Sequence, residues 1–402
     1  MTREKKILFL GGSRQQVPAV NKAQEMGYET VLCDYLKDNP GKEAADRFHL
    51  VSTTDKEQVL KVAELEAVDG VVAYASDPAA PTAAYVAEKM GFPTHPLRSV
   101  EVLTEKDRFR SFLSEHGFAT PQAKGYASME EAKKELEAFR FPLLIKPVDS
   151  SGSKGVSLLK KEDDLSGLAE YALSFSRVGR FILEEYVSMD GYQVAGDGFS
   201  VDGKLTFRCF ANDHFSTRGG SPFVPISASF PYEKPRRIHD KIHREIQRLL
   251  TLLDMKTGAY NFDIRLDKDE NIYLMEVGPR NGGNYIPQVI EYATGVDMIA
   301  CTLKAAVGEK VDDLTMKEPE GFWSYYAVHS HQEGVLQDIW IDPRVKRDYL
   351  VESHYTRKIG DKVARFTGAN TALGILIMTF PSMETMLDHM DHCEKWIRLD
   401  VK

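Results

Sequence analysis

The sequence lacks the marks of a disulfide-stapled, membrane-spanning or nucleic-acid-binding protein. Its four cysteines, Cys33, Cys209, Cys301 and Cys393, lie far apart with no C-x-x-C spacing. That argues against a structural zinc or a disulfide framework and fits a reducing cytoplasm. No apolar run approaches the length of a membrane span, and the short run in MTREKKILFLGGS stops at a glycine pair, too soon for a signal-peptide core and cleavage site. A positive net charge is missing as well. The formal net charge is -9, so no broad basic surface for nucleic acid is expected, and positive charge must be concentrated wherever an anion binds. Repeats and low-complexity segments are missing too. What is there is an ordinary globular composition, 43% hydrophobic and 28% charged over 402 residues. That length exceeds one core and sets about two to four domains as the expectation.

Lys6–Leu10 reads as a buried strand, followed by Gly11-Gly12-Ser13, a helix from about Val17 to Met26 and a strand from Thr30 to Cys33. This is one βαβ unit, and Phe48–Val51, Lys56–Leu65, Gly70–Tyr74 and Ala79–Met90 continue the alternation. Residues 1–95 therefore read as a small doubly wound domain. The glycine pair is not a G-x-G-x-x-G fingerprint, because Gln15 and Gln16 stand where the spacing wants glycine; with Asp34 about 20 residues on, it is a weak dinucleotide signature. Ser13, Arg14, Ser76 and Asp77 fall near strand C-terminal ends, where such sheets bind ligands and where plain loop residues also sit.

Thr104 and Asp107 have capping-box-like spacing for a helix to about His116, and Ser128 with Glu131 makes a better box. Phe141–Pro147 reads FPLLIKP; Lys146 ends a strongly apolar strand, where an unpartnered ammonium would be costly. The loop Asp149-Ser-Ser-Gly-Ser-Lys-Gly155 follows, then a strand from Val156 to Leu159. Such a loop can turn backbone N–H groups onto phosphate oxygens. It is not a Walker A loop, since no helix follows and the spacing differs. Arg180–Val187 reads as a strand, and Asp202-Gly203 as the turn between strands Gln193–Val201 and Leu205–Ala211. His214, Arg218, Gly219 and Gly220 form a polar loop. Pro235–Leu253 is an amphipathic helix whose basic residues read as a solvated face. The tail returns to strands at Trp323–Val328, Ala364–Phe366 and Leu373–Phe380, with a last helix from Ser382 to Trp396. His329 and His331 share a strand face, but spacing supplies no third ligand, so a polar strand end is favoured over a metal site.

The most informative stretch is Gly258–Asn284, GAYNFDIRLDKDENIYLMEVGPRNGGN. Tyr260–Leu266 and Ile272–Val277 read as strands, and the polar run 267–271 as the turn between them. A hairpin closed there can set Asp263 beside Glu276 on one face. Two adjacent buried carboxylates are hard to ionise together unless a cation sits between them, and an all-oxygen ligand set favours Mg²⁺. Arg280 follows in a Pro-Arg-Asn-Gly-Gly turn, where a rigid guanidinium suits a phosphate or acyl phosphate.

In order, Lys106, Lys146, the Gly152 loop, Glu184–Val187, Asp263, Glu276 and Arg280 resemble the signature of the ATP-grasp superfamily. The resemblance implies a multidomain α/β and α+β fold. A doubly wound pre-ATP-grasp domain would span 1–95, a first ATP-grasp subdomain with the lid 96–190, a second with the metal hairpin 191–315, and a small α+β domain 316–402. It implies Lys106 and Lys146 on the nucleotide phosphates, and Ser151, Gly152, Ser153 and Gly155 in a lid. It also implies Glu184 near adenine, backbone groups of Glu185, Tyr186 and Val187 on its edge, and Gln193 toward the ribose. Mg²⁺ (or Mn²⁺) would sit on Asp263 and Glu276, and Arg280 would steady an acyl phosphate. The implied chemistry is ATP-dependent ligation: a substrate carboxylate takes the γ-phosphoryl group, and an amine then displaces phosphate. An amino-acid ligase ranks ahead of a phosphoribosylglycinamide-synthetase-like or carbamoyl-phosphate-synthase-like enzyme, with a non-catalytic nucleotide-binding regulator as the reading from another class. The implied partners are small-molecule carboxylates and amines in the cytoplasm, with no nucleic acid or membrane and with a homodimer as the assembly to test. One position departs. Gly278 stands where the family usually places a metal-binding Asn, so water, Asn281 or Asn284 is expected to complete a weaker second site.

Overall fold

The structure, a computed structural model, describes residues 4–161, 163–216 and 222–402. The run Ile7–Leu10 has no polar alternation, and the fold buries both of its faces. Leu8 and Leu10 pack with Val59, Val62 and Val86 from helices Lys56–Glu66 and Ala80–Met90. Ile7 and Phe9 pack with Ala19, Val20 and Ala23 of helix Val17–Glu25. A strand covered on two sides is what a parallel sheet requires. The sheet runs Arg47–Leu50, Glu29–Asp34, Lys6–Leu10, Gly70–Val72, all parallel, giving the expected doubly wound domain. Its second face is shared: Ile299, Leu303 and Ala306 of helix Met298–Ala306 join the cluster and dock this domain on a later part of the chain.

A four-stranded antiparallel sheet follows, in the order Ala123–Tyr126, Phe181–Glu185, Leu143–Pro147, Ser157–Leu159. Its core residues Leu143, Ile145, Phe181 and Leu183 are closed over by Leu165, Ala169 and Ala172 of helix Leu165–Leu173. The largest sheet has eight strands in the order Ile272–Gly278, Gly258–Leu266, Gln193–Val201, Lys204–Phe215, Pro225–Phe230, Phe322–Val328, Gly374–Phe380, Leu350–Tyr355. Helix Arg236–Leu252 lays Ile238, Ile242, Ile246 and Leu249 against Tyr260, Phe262 and Leu274 of that sheet. Its Arg237 pairs with Glu270 at the surface, as a solvated basic face should. The sheet is continuous across residue 315, since Phe322–Val328 pairs with Pro225–Phe230 in the register Ser227↔Tyr326. A small sheet of Lys362–Val363, Gly334–Ile341 and Ile397–Val401 and the helix Met383–Asp391 complete the C-terminal part.

Several sequence expectations shift. Thr104 does not open a helix. It ends helix Leu97–Thr104, where its hydroxyl donates to the Val100 carbonyl at 2.8 Å, and helix Lys106–Glu115 starts after Glu105 with no side-chain cap. Ser128 does cap its helix, accepting the Glu131 N–H at 3.4 Å. Ala364–Phe366 is not a strand; the pairing lies at Lys362–Val363. The last helix stops at Asp391, before a 3₁₀ turn at Cys393–Lys395. Strands Gly334–Ile341 and Leu350–Tyr355 were not expected: the inward positions of the second are Leu350, Glu352 and Ser353's neighbour His354, too polar to read as a buried face.

Candidate active site

The hairpin consists of Gly258–Leu266 and Ile272–Gly278, with the Asp267 carboxylate closing the turn by accepting the N–H groups of Asp269 and Asn271 at 2.9 Å each. Its register pairs Asp263 with Glu276, with an irregularity immediately after Asp263. The two carboxylates therefore stand side by side, as the sequence implied. Burial first, and then the charge of Glu276, push the Asp263 carboxyl up to about 7. Lys106, the first residue of its helix, places Nζ 3.9 Å from Glu276 Oε2 and donates to the Ser150 carbonyl at 2.5 Å.

Lys146 ends its strand with Nζ 2.6 Å from Glu184 Oε1, and Arg110 Nε donates to Glu184 Oε2 at 2.7 Å. Glu184 is fully buried between two cations. Burial opposes its charge, yet Arg110 and Lys146 together hold its carboxyl down to about 2. Burial pulls Lys146 down to about 8, against the pull of Glu184. Arg110 Nη2 also donates to the Met275 carbonyl at 2.9 Å, tying the smaller sheet to the hairpin.

The hinge is less open than expected. The Glu185 N–H donates to Gln122 O at 2.9 Å and the Tyr186 N–H to Pro142 O at 3.1 Å, while the Glu185 carboxylate holds Arg140. Val187 accepts Arg265 Nη1 at 3.1 Å through its carbonyl. Gln193 is engaged at both ends, accepting from Arg265 Nε at 3.1 Å and donating to Asp213 Oδ2 at 3.0 Å. Burial, then Asp263, push the Asp213 carboxyl well above the usual range. In the loop Ser150–Gly155, Gly152, Ser153 and Gly155 have φ of 66°, 57° and 73°. Ser153 Oγ donates to the Phe223 carbonyl at 2.6 Å, so the loop lies down against the larger sheet's end. Under it is a cavity of about 90 Å³ lined by Lys106, Lys146, Ser151, Gln193, Asp263 and Glu276 among others. It adjoins a second cavity of about 190 Å³ that reaches Asp77 of the N-terminal domain; the two share Lys106, Ser150, Met275 and Glu276.

Arg280 is paired side-on with Asp77: Nε to Oδ1 at 2.8 Å and Nη2 to Oδ2 at 2.5 Å. Burial would lower its pKa, but Asp77 outweighs it and the guanidinium stays above its ordinary value. The turn after it is held from below by Asp197, which accepts the Gly282 N–H at 2.7 Å and Asn261 Nδ2 at 2.9 Å. Neither expected amide is free to replace a ligand at 278. Asn281 is fully buried with Oδ1 accepting from Thr302, and Asn284 is tied to Gln15 at 3.0 Å and to Tyr325.

The glycine loop at the N-terminus has no donors to spare. The N–H groups of Gly11, Gly12 and Ser13 go to Cys33 O, the Asp34 carboxylate and Gln16 Oε1 at 2.9, 2.7 and 2.9 Å. His214 is also turned inward: it is buried between Asp391 at 2.7 Å and Ser229 at 2.8 Å rather than facing a substrate loop. Arg218, Gly219 and Gly220 lie outside the described residues. His329 contacts His331 edge-on, and burial draws it down to about 4.

Sequence reasoning missed Asp77 as the partner of Arg280, and it missed Arg110, Arg265, Asp197 and Asp213. Arg265 had a signal, because it lies two residues beyond Asp263 on a strand and so shares its face before the bulge is counted. Asp197 also had one, being a carboxylate inside an otherwise buried strand. Arg110 had none, and Asp77 had only its place near a strand's C-terminal end, with nothing to point to Arg280, since the partners lie 74 and 203 residues away.

Residues 139–288 match the family model described as ATP-grasp domain. The formate-dependent phosphoribosylglycinamide formyltransferase of Bacillus subtilis is 25% identical over 333 residues, covering 79% of this chain and 81% of that one. The structure of an L-amino acid ligase from Bacillus licheniformis superposes over all of both chains with a TM-score of 0.81 at 21% identity. The biotin carboxylase domain of a Hydrogenobacter thermophilus 2-oxoglutarate carboxylase, solved with MgADP and bicarbonate, gives 0.75 at 16% identity over 100% of this chain and 92% of that one. Residues 139–288 are thus an ATP-grasp domain, in a chain that is similar over most of its length to ATP-grasp enzymes.

Proposed function

We propose that the protein uses ATP to activate a carboxylate as an acyl phosphate and joins it to an amine, releasing ADP and phosphate. The observation that carries this is the pairing of Asp263 with Glu276, both half-buried, in the wall of the cavity that Lys146 and the loop residues Ser150, Ser151, Gly152 and Ser153 also line, with Arg280 four residues beyond Glu276. The donor set fits a divalent cation: it is all oxygen, and the upward push on Asp263 comes partly from a neighbour's charge that a cation would offset. Among the described residues no group of three or more ligating side chains is assembled. Asp263 and Glu276 would hold the ion with phosphate and water oxygens completing the shell, as suits Mg²⁺ or Mn²⁺. When bound, the cation offsets charge on the phosphates during transfer.

The chain's own groups do the rest. Lys146 and Lys106 face the phosphates, Lys146 held in place by Glu184. The loop N–H groups of Ser151, Gly152, Ser153 and Gly155 add donors and exclude water. Arg280 steadies the acyl phosphate, and positioning with electrostatics makes a side-chain nucleophile unnecessary. At the hinge, the carbonyl edge and the Val187 N–H carry adenine recognition, since Glu185 and Tyr186 have spent theirs. Gln193 reaches the ribose only by giving up Arg265 or Asp213.

An unphosphorylated amine acceptor is favoured, because the Gly11–Ser13 loop has no free N–H and a phosphate ester there would meet the Asp34 carboxylate. A phosphorylated ribosylamine acceptor is the second reading, favoured by the Bacillus subtilis relative. In either case residues 1–95, 96–190, 191–315 and 316–402 are the divisions, the last two joined through one continuous sheet. Among the described residues no helix is long and apolar enough to cross a membrane. The protein would work on small molecules in the cytoplasm without nucleic acid, and sedimentation would test for a homodimer. A screen of free amino acids and small acids, against phosphorylated amines, for ATP-dependent ADP release decides between the readings. MgADP binding with no ADP release from any pair would leave a regulator.

A further inference from the structure

Gly278 ends the second hairpin strand with φ outside the left-handed region, so its backbone does not call for glycine. Space does. A Cβ at this position would lie 2.7 Å from Asp77 Oδ1 and 3.2 Å from Arg280 Cζ. Asp77 opens the turn Asp77–Ala79 after the last strand of the N-terminal sheet, about 200 residues earlier in the chain. Its carboxylate enters the volume that a side chain at 278 would fill. The pair it forms with Arg280 is shielded, with side-chain exposures of 14% and 10%. A guanidinium has five N–H donors. Asp77 takes two, and the Asn281 carbonyl takes a third from Nη1 at 3.0 Å. Two remain, and Asp77 itself lines a cavity together with Lys106 and Glu276.

We propose that Asp77 is a positioning residue, entering the space left by Gly278 to pin Arg280 side-on and reserve its two remaining donors for the γ-phosphoryl oxygens. This rests on the ATP reading above. The carboxylate cancels part of the charge that would attract a phosphate. Its contribution must therefore be geometric: an otherwise flexible side chain is fixed before the nucleotide arrives. It also makes the clamp conditional on the N-terminal domain being seated, since Asp77 comes from that domain and Arg280 does not.

The test is calorimetry of MgADP and of Mg with the non-hydrolysable β,γ-imido analogue of ATP. The proteins are the wild type, Asp77→Ala, Asp77→Asn, Gly278→Ala and the double variant Asp77→Ala/Gly278→Ala, each with a thermal unfolding curve. The expected result is MgADP affinity within about twofold of wild type throughout. The extra affinity contributed by the γ-phosphate should fall about tenfold in either alanine variant, the worth of a lost charge-assisted contact. The double variant should be no worse than Asp77→Ala alone, because the closest clash at 278, with Asp77 Oδ1, disappears with the carboxylate and leaves only the movable tip of Arg280 at 3.2 Å. If Asp77→Ala does not fold, Asp77→Asn, of equal size, reads the same increment. Tighter binding of the imido analogue by Asp77→Ala would overturn the proposal, showing a brake rather than a positioner. Equal weakening of both nucleotides, or additive effects in the double variant, would also overturn it. No MgADP binding by the wild type would instead sink the ATP reading, and this inference with it.

Discussion

Two loops in this molecule look alike on paper and differ in what they have left to give. Gly11-Gly12-Ser13 follows the first strand of a parallel sheet, and Ser150–Gly155 follows a strand of the smaller antiparallel sheet. Both are rich in glycine and serine. The first has spent its N–H groups on Cys33, Asp34 and Gln16. The second lies over a cavity in which the carboxylates of Asp263 and Glu276 repel each other. Composition does not separate the two; unfinished electrostatics does. A site is found where a fold tolerates a conflict that only a ligand resolves.

The sharpest way to break the comparison is at the hairpin. Asp263→Asn and Glu276→Gln should each lower turnover by about 100-fold or more, measured as ADP release, while the fold is retained. The pH dependence is a second readout. The folded-state pKa of Asp263 is raised to about 7 from 3.8. Its contribution to stability is therefore full below its unfolded pKa, and it is lost as pH rises from about 4 through 7. Metal-free protein should accordingly lose melting temperature across that window, Mg²⁺ should restore it above pH 7, and Asp263→Asn should flatten the profile. A wild-type profile as flat as the variant's would remove the conflict from the argument.

Lys146→Ala comes next, with ATP affinity expected to fall by about 10- to 100-fold, since a charge-assisted contact is lost while Arg110 still neutralises Glu184. Unchanged affinity by calorimetry would reject its phosphate role. A smaller effect concerns the lid. A Cβ at Gly155 would come within 2.8 Å of Pro147 Cγ, at a φ of 73°. Gly155→Ala should thus weaken nucleotide binding by about threefold to tenfold through a strained loop. In the wild type, tryptic cleavage after Lys154 should be suppressed by Mg-ATP. Equal cutting with and without nucleotide counts against closure. The smallest effect on nucleotide belongs to the spent loop. Asp34→Asn should cost about 1–2 kcal/mol of stability by removing a buried acceptor, and ATP affinity should not move. A loss of ATP affinity there would erase the contrast between the loops.

How far the sequence carried depended on the distance over which each feature is decided. The hairpin was legible because strand alternation and turn chemistry lie within 27 residues and fix Asp263 opposite Glu276. The N-terminal domain was legible because strands buried on both faces read as unbroken apolar runs. Thr104 was misread because a capping-box spacing also occurs at a helix's last turn, where the hydroxyl turned back to Val100. Strand Leu350–Tyr355 stayed hidden because its inward side carries Glu352 and His354, which pair with each other at 2.7 Å. The pairings of Asp77 with Arg280 and of Arg110 with Glu184 were beyond local rules altogether, since only the fold brings together residues 203 and 74 positions apart.

The continuous eight-stranded sheet has a consequence for how the protein is born. Strand Pro225–Phe230 leaves the ribosome with one edge open, and the strand that covers it, Phe322–Val328, begins about 90 residues later. At roughly 5–20 residues per second, that edge stays bare for roughly 5–20 seconds of synthesis. It carries Ile226, Ala228 and Phe230, all buried in the finished sheet. Throughout that interval the nascent nucleotide-binding half offers a sticky, unpaired strand to any neighbour, its own copies on the same polysome included.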